Sequence, residues 1–509
     1  MSALSDTTVA DVARLQAEGH HVIPVTRSLF ADAETPVSIY RKLAEGVPGS
    51  FLLESAEQGG IWSRFSFVGV SSYGVLTDSE STPRWIDYGL SAERAFGGAI
   101  PEKNLDALAV LYSRWKGAVI EDMPPLTGAL VGFIGYEVIR ELENLPDAPT
   151  ADFSVPTQGL SFSREVIVLD HKFGTVTLIS NVLTDDESVD AQQLFSEATV
   201  RLNDLQERLS QPGPVGLAEI DLAAVATPTP RMAHQDFLDA VVASKKHIID
   251  GDVFQVVISQ RFDLDNNASA VDVYRVLRSL NPSPYMYLLS LETAEGKPYS
   301  IVGSSPEALF KVTGQRVFTH PIAGSRPRGA SPEQDNELEL DLLADEKERS
   351  EHLMLVDLAR NDLLRVCSAG SVEVTEFMRV ERFSHIMHIV SIVEGNITPG
   401  KTPVDVFRAT FPAGTLSGAP KPRALEIIDD LEPSRRGVYG GVVGYFGFTG
   451  DADLAIAIRT ATLIDDVAYV QAGAGLVMDS DPETEYQETI NKSAAPLRAV
   501  AIANALRKL

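Results

Sequence analysis

Two pairs of glutamates are spaced so that each pair can act as a unit. Glu348 with Glu351, and Glu485 with Glu488, stand at i,i+3 in stretches of helical character, so each pair projects from one helix face. Taken alone, such a pair is most often a solvated face. If the two helices meet, four carboxylates converge, which is costly unless a cation sits among them; an all-oxygen ligand set suits Mg²⁺. Arg459 lies in the apolar run Ala455 to Thr460, where a guanidinium needs an anionic partner because an unpaired buried charge is expensive. That partner is either a carboxylate of the chain or a substrate carboxylate clamped bidentately. Lys421 and Lys492 each lie near candidate polar groups. The glycine-rich strings Gln471 to Gly475 and Thr415 to Lys421 can offer backbone N–H groups to anionic oxygens, although glycine at a tight strand turn is the common reason for them. His388, in the segment Ser384 to His388, is either an acid–base group or a packed histidine. Together these residue types describe an enzyme acting on a carboxylated small molecule with Mg²⁺. They do not name the substrate.

The elements that must position these groups follow from the hydrophobic pattern. In the first half, short helices are expected at Thr35 to Leu43, Leu105 to Trp115 and Ser188 to Leu209. Strands are expected at Ser50 to Ser55, Ser66 to Thr77 and Gly128 to Glu141, with a hairpin over Leu160 to Leu183 that turns at Lys172-Phe173-Gly174. Gln211 to Pro230 is rich in Pro, Ala, Thr and Gly, and marks a boundary between a region 1–230 and a region 231–509. The second half opens with an amphipathic helix, His234 to Asp250, stopped by Gly251. Strands follow at Val253 to Phe262, Met286 to Ser290, Ser300 to Gly303 and Leu309 to Ile322. Two acidic helices cover Glu333 to Val366. Three strand-like runs, Val438 to Phe448, Ala452 to Leu463 and Val467 to Val477, precede a terminal helix from Glu483. Sequential strands with short turns, and helices grouped apart from them, predict an α+β protein with antiparallel sheets.

Bulk properties narrow the class. A chain of 509 residues exceeds one compact core. A formal net charge of -28 argues against nucleic-acid binding, which relies on clustered Lys and Arg, and against attraction to an anionic membrane. No run approaches the length of a membrane span, and the N-terminus lacks the pattern of a secretory signal, so the expected location is cytoplasmic. With Cys367 as the only cysteine, no intrachain disulfide and no thiolate metal cluster can form.

The ordered segments Gly251-Asp-Val-Phe-Gln255, Gly303-Ser-Ser-Pro-Glu307, Pro321-Ile-Ala-Gly-Ser-Arg326, Glu351 to Asp362, Thr415 to Lys421, Gly440-Gly441, Gln471 to Gly475 and Glu485-Tyr-Gln-Glu488 with Lys492 resemble the chorismate-utilising enzymes from Arg231 onward. Leu52-Leu-Glu-Ser55 and Asn281 to Met286 extend the likeness through the N-terminal half, toward the branch of the family that makes anthranilate. The resemblance implies two large antiparallel sheets packed together with helices outside. It implies that Glu351 and Glu488 bind Mg²⁺ directly, with Glu348 and Glu485 beside them or reaching through water, and that the metal holds the ring carboxylate of chorismate. Tyr439, Arg459 and the backbone at Gly473 and Gly475 would take the enolpyruvyl carboxylate, and Lys492 would add positive charge. Gln255, Thr415 and the backbone at Gly324 and Ser325 complete the implied substrate shell.

By the same resemblance, Glu307 protonates the leaving 4-hydroxyl while ammonia attacks ring carbon 2, and His388 serves the loss of pyruvate that makes the ring aromatic. Relatives that add water carry a lysine base where this chain has Gln255. Relatives with a nucleophilic lysine carry it where this chain has Ala323. Both absences point to amination at carbon 2. No glutaminase elbow surrounds Cys367, so ammonia is expected from a separate glutaminase subunit. Pro24, Leu53, Glu54, Ser55, Pro284, Tyr285 and Met286 match a site for feedback inhibition by tryptophan, which makes the region 1–230 a regulatory one and the region 231–509 the catalytic one.

Overall fold

The computed structural model describes residues 6–55, 64–186, 189–214, 216–382 and 386–508. Ser188, Ser384 and His385, which belong to segments named above, lie outside these residues. Every ladder between the described strands is antiparallel, and all but one two-stranded pair join a single 21-stranded network. Two long strands, Phe65–Ser79 and Gln158–Asp170, divide that network into two sheets. Their mutual register slips between Gly69 and Val75, and such irregularities bend a strand pair.

One end of this bent pair continues into a first sheet. On one side Thr175–Leu183 and Val22–Phe30 follow. On the other come Ser50–Glu54, Tyr285–Glu292, Pro298–Ser305, Thr460–Ile464, Val467–Leu476 and Gln255–Asp265. The other end feeds a second sheet of Ala129–Ile134, Val442–Gly447, Ala452–Ile456, Ala308–Thr313, Arg316–Thr319 and Ile386–Asn396, the last flanked by Ile322–Pro327 and Glu373–Arg382.

The inner faces meet through Phe51, Leu289 and Ile301 of the first sheet and Val131, Phe133, Val443 and Tyr445 of the second. Helices cover the outer faces. Val9–Ala17, Pro36–Leu43, Ala191–Ser210, Ala270–Leu280 and Pro482–Asn504 pack on the first. Asn104–Arg114, Pro403–Thr410 and one side of Glu346–Leu364 pack on the second. The α+β class with packed antiparallel sheets and outer helices is the one expected. The sheets run across the linker near residue 230: Met286 pairs with Glu54, and Val443 with Phe133.

Local chemistry sets several element ends. Thr35 caps Pro36–Leu43 through a capping box, and Gly251 closes His234–Asp250 in the left-handed conformation, φ +84°. Two expectations need correction. The strand expected over Gly128 to Glu141 ends at Ile134, and Tyr136–Glu141 is a 3-10 helix. Gly135 marks the switch: its N–H bonds to Thr157 and the N–H of Tyr136 turns to Gly437. The strand expected over Ala452 to Leu463 is two strands, Ala452–Ile456 and Thr460–Ile464. Between them Arg459 takes φ +51°, a conformation that interrupts a ladder. Among the described residues, no helix is long and apolar enough to cross a membrane.

Candidate active site

Both glutamate pairs sit at the N-terminal turns of long helices. Asp345 caps Glu346–Leu364 by accepting from the N–H groups of Lys347 and Glu348. Asp481 caps Pro482–Asn504 by accepting from that of Thr484. The positive end of each helix dipole faces the acidic pair and offsets part of its repulsion. Burial first, and then neighbouring carboxylates that include Glu488, hold Glu348, Glu351 and Glu485 above the usual carboxylate range. Glu488 forms a 2.6 Å ion pair with Lys492, and Gln255 Nε2 donates a long hydrogen bond of 3.4 Å to Glu351 Oε1. Oxygen-donor groups whose negative charges oppose one another suit a hard divalent cation. Among the described residues, no three His, Cys, Asp or Glu side chains are gathered into a metal-holding group; Glu488 lies within electrostatic reach of both Glu348 and Glu351.

Glu307 sits in the short connection between strands Pro298–Ser305 and Ala308–Thr313. Its carbonyl accepts from Ile456 N–H at 2.9 Å, and its Oε1 accepts from Thr415 Oγ1 at 3.1 Å. Burial pushes its carboxyl up to about 7, against the opposing influence of Thr415, Lys492 and Arg459. A carboxyl with that proton affinity is suited to deliver a proton near neutrality. A small open cleft reaches Glu307 and Thr415 and is walled by Leu355, Leu358 and Asp362 of the carboxylate-bearing helix.

His388 lies on Ile386–Asn396 opposite Ser325. A bulge at Gly324, φ +73°, turns that residue's carbonyl onto His388 Nδ1 at 3.0 Å. With Nδ1–H donating, Nε2 is the acceptor nitrogen. Burial lowers the pKa of the ring, so the imidazole is neutral at pH 7 and able to take a proton. A side chain at Gly324 would lie 3.0 Å from Glu348 Oε2, so the bulge also sits against the first acidic pair.

The far wall is glycine-lined. Gly473 N–H donates to the hydroxyl of buried Tyr439, and its carbonyl accepts from Lys492 Nζ at 3.1 Å. A Cβ at Gly475 would stand 2.7 Å from Gln255 Nε2, so glycine lets that amide lie across the strand. Arg459 makes no salt bridge among the described residues; burial depresses its pKa and the charge of Glu307 opposes that shift. Of the two partners considered for Arg459, a carboxylate of the chain is therefore not the one seen.

Two ion pairs behind this wall, one buried and one half-buried, have partners that the sequence did not indicate. Arg436 binds Glu432 and donates to the carbonyls of Leu416 and Val257 at 2.6 and 2.8 Å. Glu432 in turn accepts from the N–H and hydroxyl of Ser259. This pair ties the Thr415 segment to the strand that carries Gln255. Lys421 binds Asp362 at 2.6 Å and the carbonyl of Thr410 at 3.1 Å, tying the carboxylate-bearing helix to the same segment. The i,i+4 spacing of Glu432 and Arg436 was the available signal, but nothing local distinguishes it from a solvated pair.

A second group of expected residues gathers at the other end of the first sheet. Leu53 pairs with Tyr287, and Glu54 with Met286; Pro284 and Tyr285 open that same strand. Buried Glu54 accepts from Tyr274 hydroxyl at 2.7 Å and from Arg278. Ser55 Oγ is buried with no hydrogen-bond partner among the described residues. Pro24 is not in this group. Its strand pairs with Thr175–Leu183, and three strands separate it from Glu54; the register of an extended sheet carried it away. Cys367 is buried, and burial pushes its thiol up to about 11, which keeps it inert.

Comparison with known proteins agrees with this geometry. Residues 76–498 match the family of chorismate binding enzymes. Anthranilate synthase component 1 of Arthrobacter globiformis is 51% identical over 494 residues, covering 96% of this chain and 92% of that one. Anthranilate synthase component 1 of Mycolicibacterium smegmatis is 48% identical over 511 residues, covering 99% and 96%. The crystal structure of anthranilate synthase component I from Streptococcus pneumoniae TIGR4 superposes with a TM-score of 0.74 at 36% identity, covering 86% of this chain and 93% of that one. The chain belongs to the chorismate-binding enzymes, in the group of anthranilate synthase component 1.

Proposed function

We propose that this enzyme converts chorismate to anthranilate and pyruvate, as the large subunit of an anthranilate synthase, using ammonia supplied by a separate glutaminase subunit. The observation that carries the reading is Glu307: a buried carboxyl with a pKa raised to about 7, held by Thr415 and facing two cations, on a chain that matches anthranilate synthase component 1 over nearly its whole length.

Glu348, Glu351, Glu485 and Glu488 would hold Mg²⁺, which supplies positive charge for the ring carboxylate. Arg459, Tyr439 and the backbone of Gly473 and Gly475 receive the enolpyruvyl carboxylate, with Lys492 nearby. Ammonia forms a bond to ring carbon 2 while the bond from carbon 4 to its hydroxyl breaks. Glu307 gives its proton to the departing oxygen, which leaves as water. The new ammonium group loses a proton to become the amine. His388 Nε2 then takes the hydrogen from carbon 2 as a proton, the electron pair left behind makes the ring aromatic as the bond from carbon 3 to the enolpyruvyl oxygen breaks, and the departing enolate takes a proton from solvent to become pyruvate. Gln255 and Ala323 stand where other chemistries in the family use lysine, and an amide or a methyl group cannot replace an amine in activating water or attacking the ring.

The gathering of Leu53, Glu54, Ser55, Pro284, Tyr285 and Met286, with a buried Ser55 hydroxyl that has no hydrogen-bond partner among the described residues, supports a tryptophan site through which the end product inhibits. The N-terminal region is then the regulatory part of the chain in function, though it shares its sheets with the rest. A cytoplasmic location follows from this biosynthetic role.

The deciding assay is purified chain, chorismate, Mg²⁺ and excess ammonium at mildly alkaline pH. Anthranilate fluorescence is the expected result. Formation of isochorismate or aminodeoxychorismate, or unchanged chorismate, would overturn the reading.

A further inference from the structure

The break that presents Arg459 is held from both ends by one neighbouring strand. Within the break, Ile458 N–H folds back to Ile456 at 2.9 Å, and Ala457 exchanges hydrogen bonds with Gly440 and Gly441 at 3.0 and 2.8 Å. Arg459 itself has φ +51°, and its carbonyl accepts from Ser304 N–H at 3.2 Å. A non-glycine residue persists in that conformation only when its surroundings over-determine it.

Strand Tyr285–Glu292 supplies two of those surroundings. Tyr285 hydroxyl donates to Asp453 Oδ1 at 2.9 Å, on the strand that enters the break. Tyr287 hydroxyl meets Thr460 Oγ1 at 2.6 Å, on the strand that leaves it. Thr460 Oγ1 gives its own hydrogen to Ile458 carbonyl at 2.8 Å, so Tyr287 is the donor in that bond. The chain from Tyr287 through Thr460 to Ile458 closes around Arg459. Gly303 lies between Tyr287 and Thr460 in the sheet and pairs with both. A Cβ on Gly303 would stand 2.2 Å from the Tyr287 ring, so this motif glycine is what allows the ring to cross its neighbour's strand. Arg459 is near enough for its charge to act on both Glu307 and His388, which places the guanidinium at the reaction site.

We propose that Tyr287, with Tyr285 in support, is a positioning residue for carboxylate recognition: its hydroxyl, passing over Gly303 to Thr460, locks the turn that aims Arg459 at the substrate. This rests on Arg459 taking a substrate carboxylate. In the amination step the bonds that change are at ring carbons 2 and 4, and the enolpyruvyl carboxylate is gripped equally in the ground and transition states of that step, so loosening the turn raises KM and leaves the kcat of amination in place.

The test is steady-state kinetics of the purified chain with ammonium and Mg²⁺, chorismate being varied. Arg459→Ala should raise KM about a hundredfold, as loss of charge-assisted hydrogen bonds does. Tyr287→Phe, which keeps the ring, should raise KM about tenfold with kcat changed less than about twofold. Thr460→Val removes the same bond from its other end and should match it, while Thr460→Ser should restore native KM. In an Arg459→Ala background, Tyr287→Phe should change KM by less than about twofold. Equal KM increases in both backgrounds would overturn the proposal, as would a native KM in Tyr287→Phe and Thr460→Val. A native KM in Arg459→Ala would instead remove the carboxylate role of Arg459 itself. If Tyr287→Phe unfolds, the Thr460 pair decides alone.

Discussion

At Glu307 the proposed chemistry and its pH dependence rest on a single side chain. Burial raises its carboxyl to about 7, so the protonated form that can act as acid is present below that pH and is lost as pH rises through it. Measured at constant free ammonia, kcat/KM for chorismate should therefore fall about tenfold per pH unit above roughly 7. Glu307→Gln keeps size and hydrogen bonding but cannot donate the same proton. It should cut kcat by about 10² to 10⁴ while isothermal titration shows chorismate still bound. His388, with Nδ1 donating to the Gly324 carbonyl, serves the later step in the proposed mechanism. His388→Ala should let the aminated, pyruvate-bearing intermediate accumulate on quenching; equal loss of both steps would remove that role.

The elements explain why single residues reach these positions. The Gly324 bulge links three of them: it turns its carbonyl to His388, sits at φ +73°, and leaves 3.0 Å between a would-be Cβ and Glu348. Gly324→Ala should cost about 1–2 kcal/mol for the left-handed backbone and lower activity further by shifting His388. Urea unfolding run beside the assay separates the two effects. The buried Arg436–Glu432 pair sets the Thr415 segment against the sheet. Removing one partner of such a pair costs about 3–5 kcal/mol, so Arg436→Met should give a chain that melts early.

Across the whole molecule, two long helices from different parts of the chain bring Glu488 within electrostatic reach of Glu348 and Glu351. A cation that binds only the folded arrangement stabilises it by mass action. Mg²⁺ should raise the melting temperature of the wild-type chain, with no such rise in Glu351→Gln; an equal rise in both would place the ion elsewhere. The strand pairing of Glu54 with Met286 also brings together the distant segments of the proposed tryptophan site. Ser55→Phe should fill it and relieve tryptophan inhibition, and unchanged inhibition would retire the site.

Much of this was legible before any fold. Helix periodicity put both glutamate pairs on helix faces, Gly251 marked a helix stop, and the ordered motifs around Glu307, Thr415 and Gly475 named the family, because these depend on local spacing and residue type. What the chain could not disclose from its letters alone concerns partners far apart along it. Arg459 read as a strand residue because its neighbours are apolar, and only the packing of Tyr285, Tyr287 and Gly303 shows that it stands in a held break. Pro24 read as a neighbour of Ser55 until sheet order set three strands between them. Local sequence determines which groups are available and in which element; long-range pairing alone decides which of them meet, since a strand's hydrogen bonds are completed by whichever segment folds beside it.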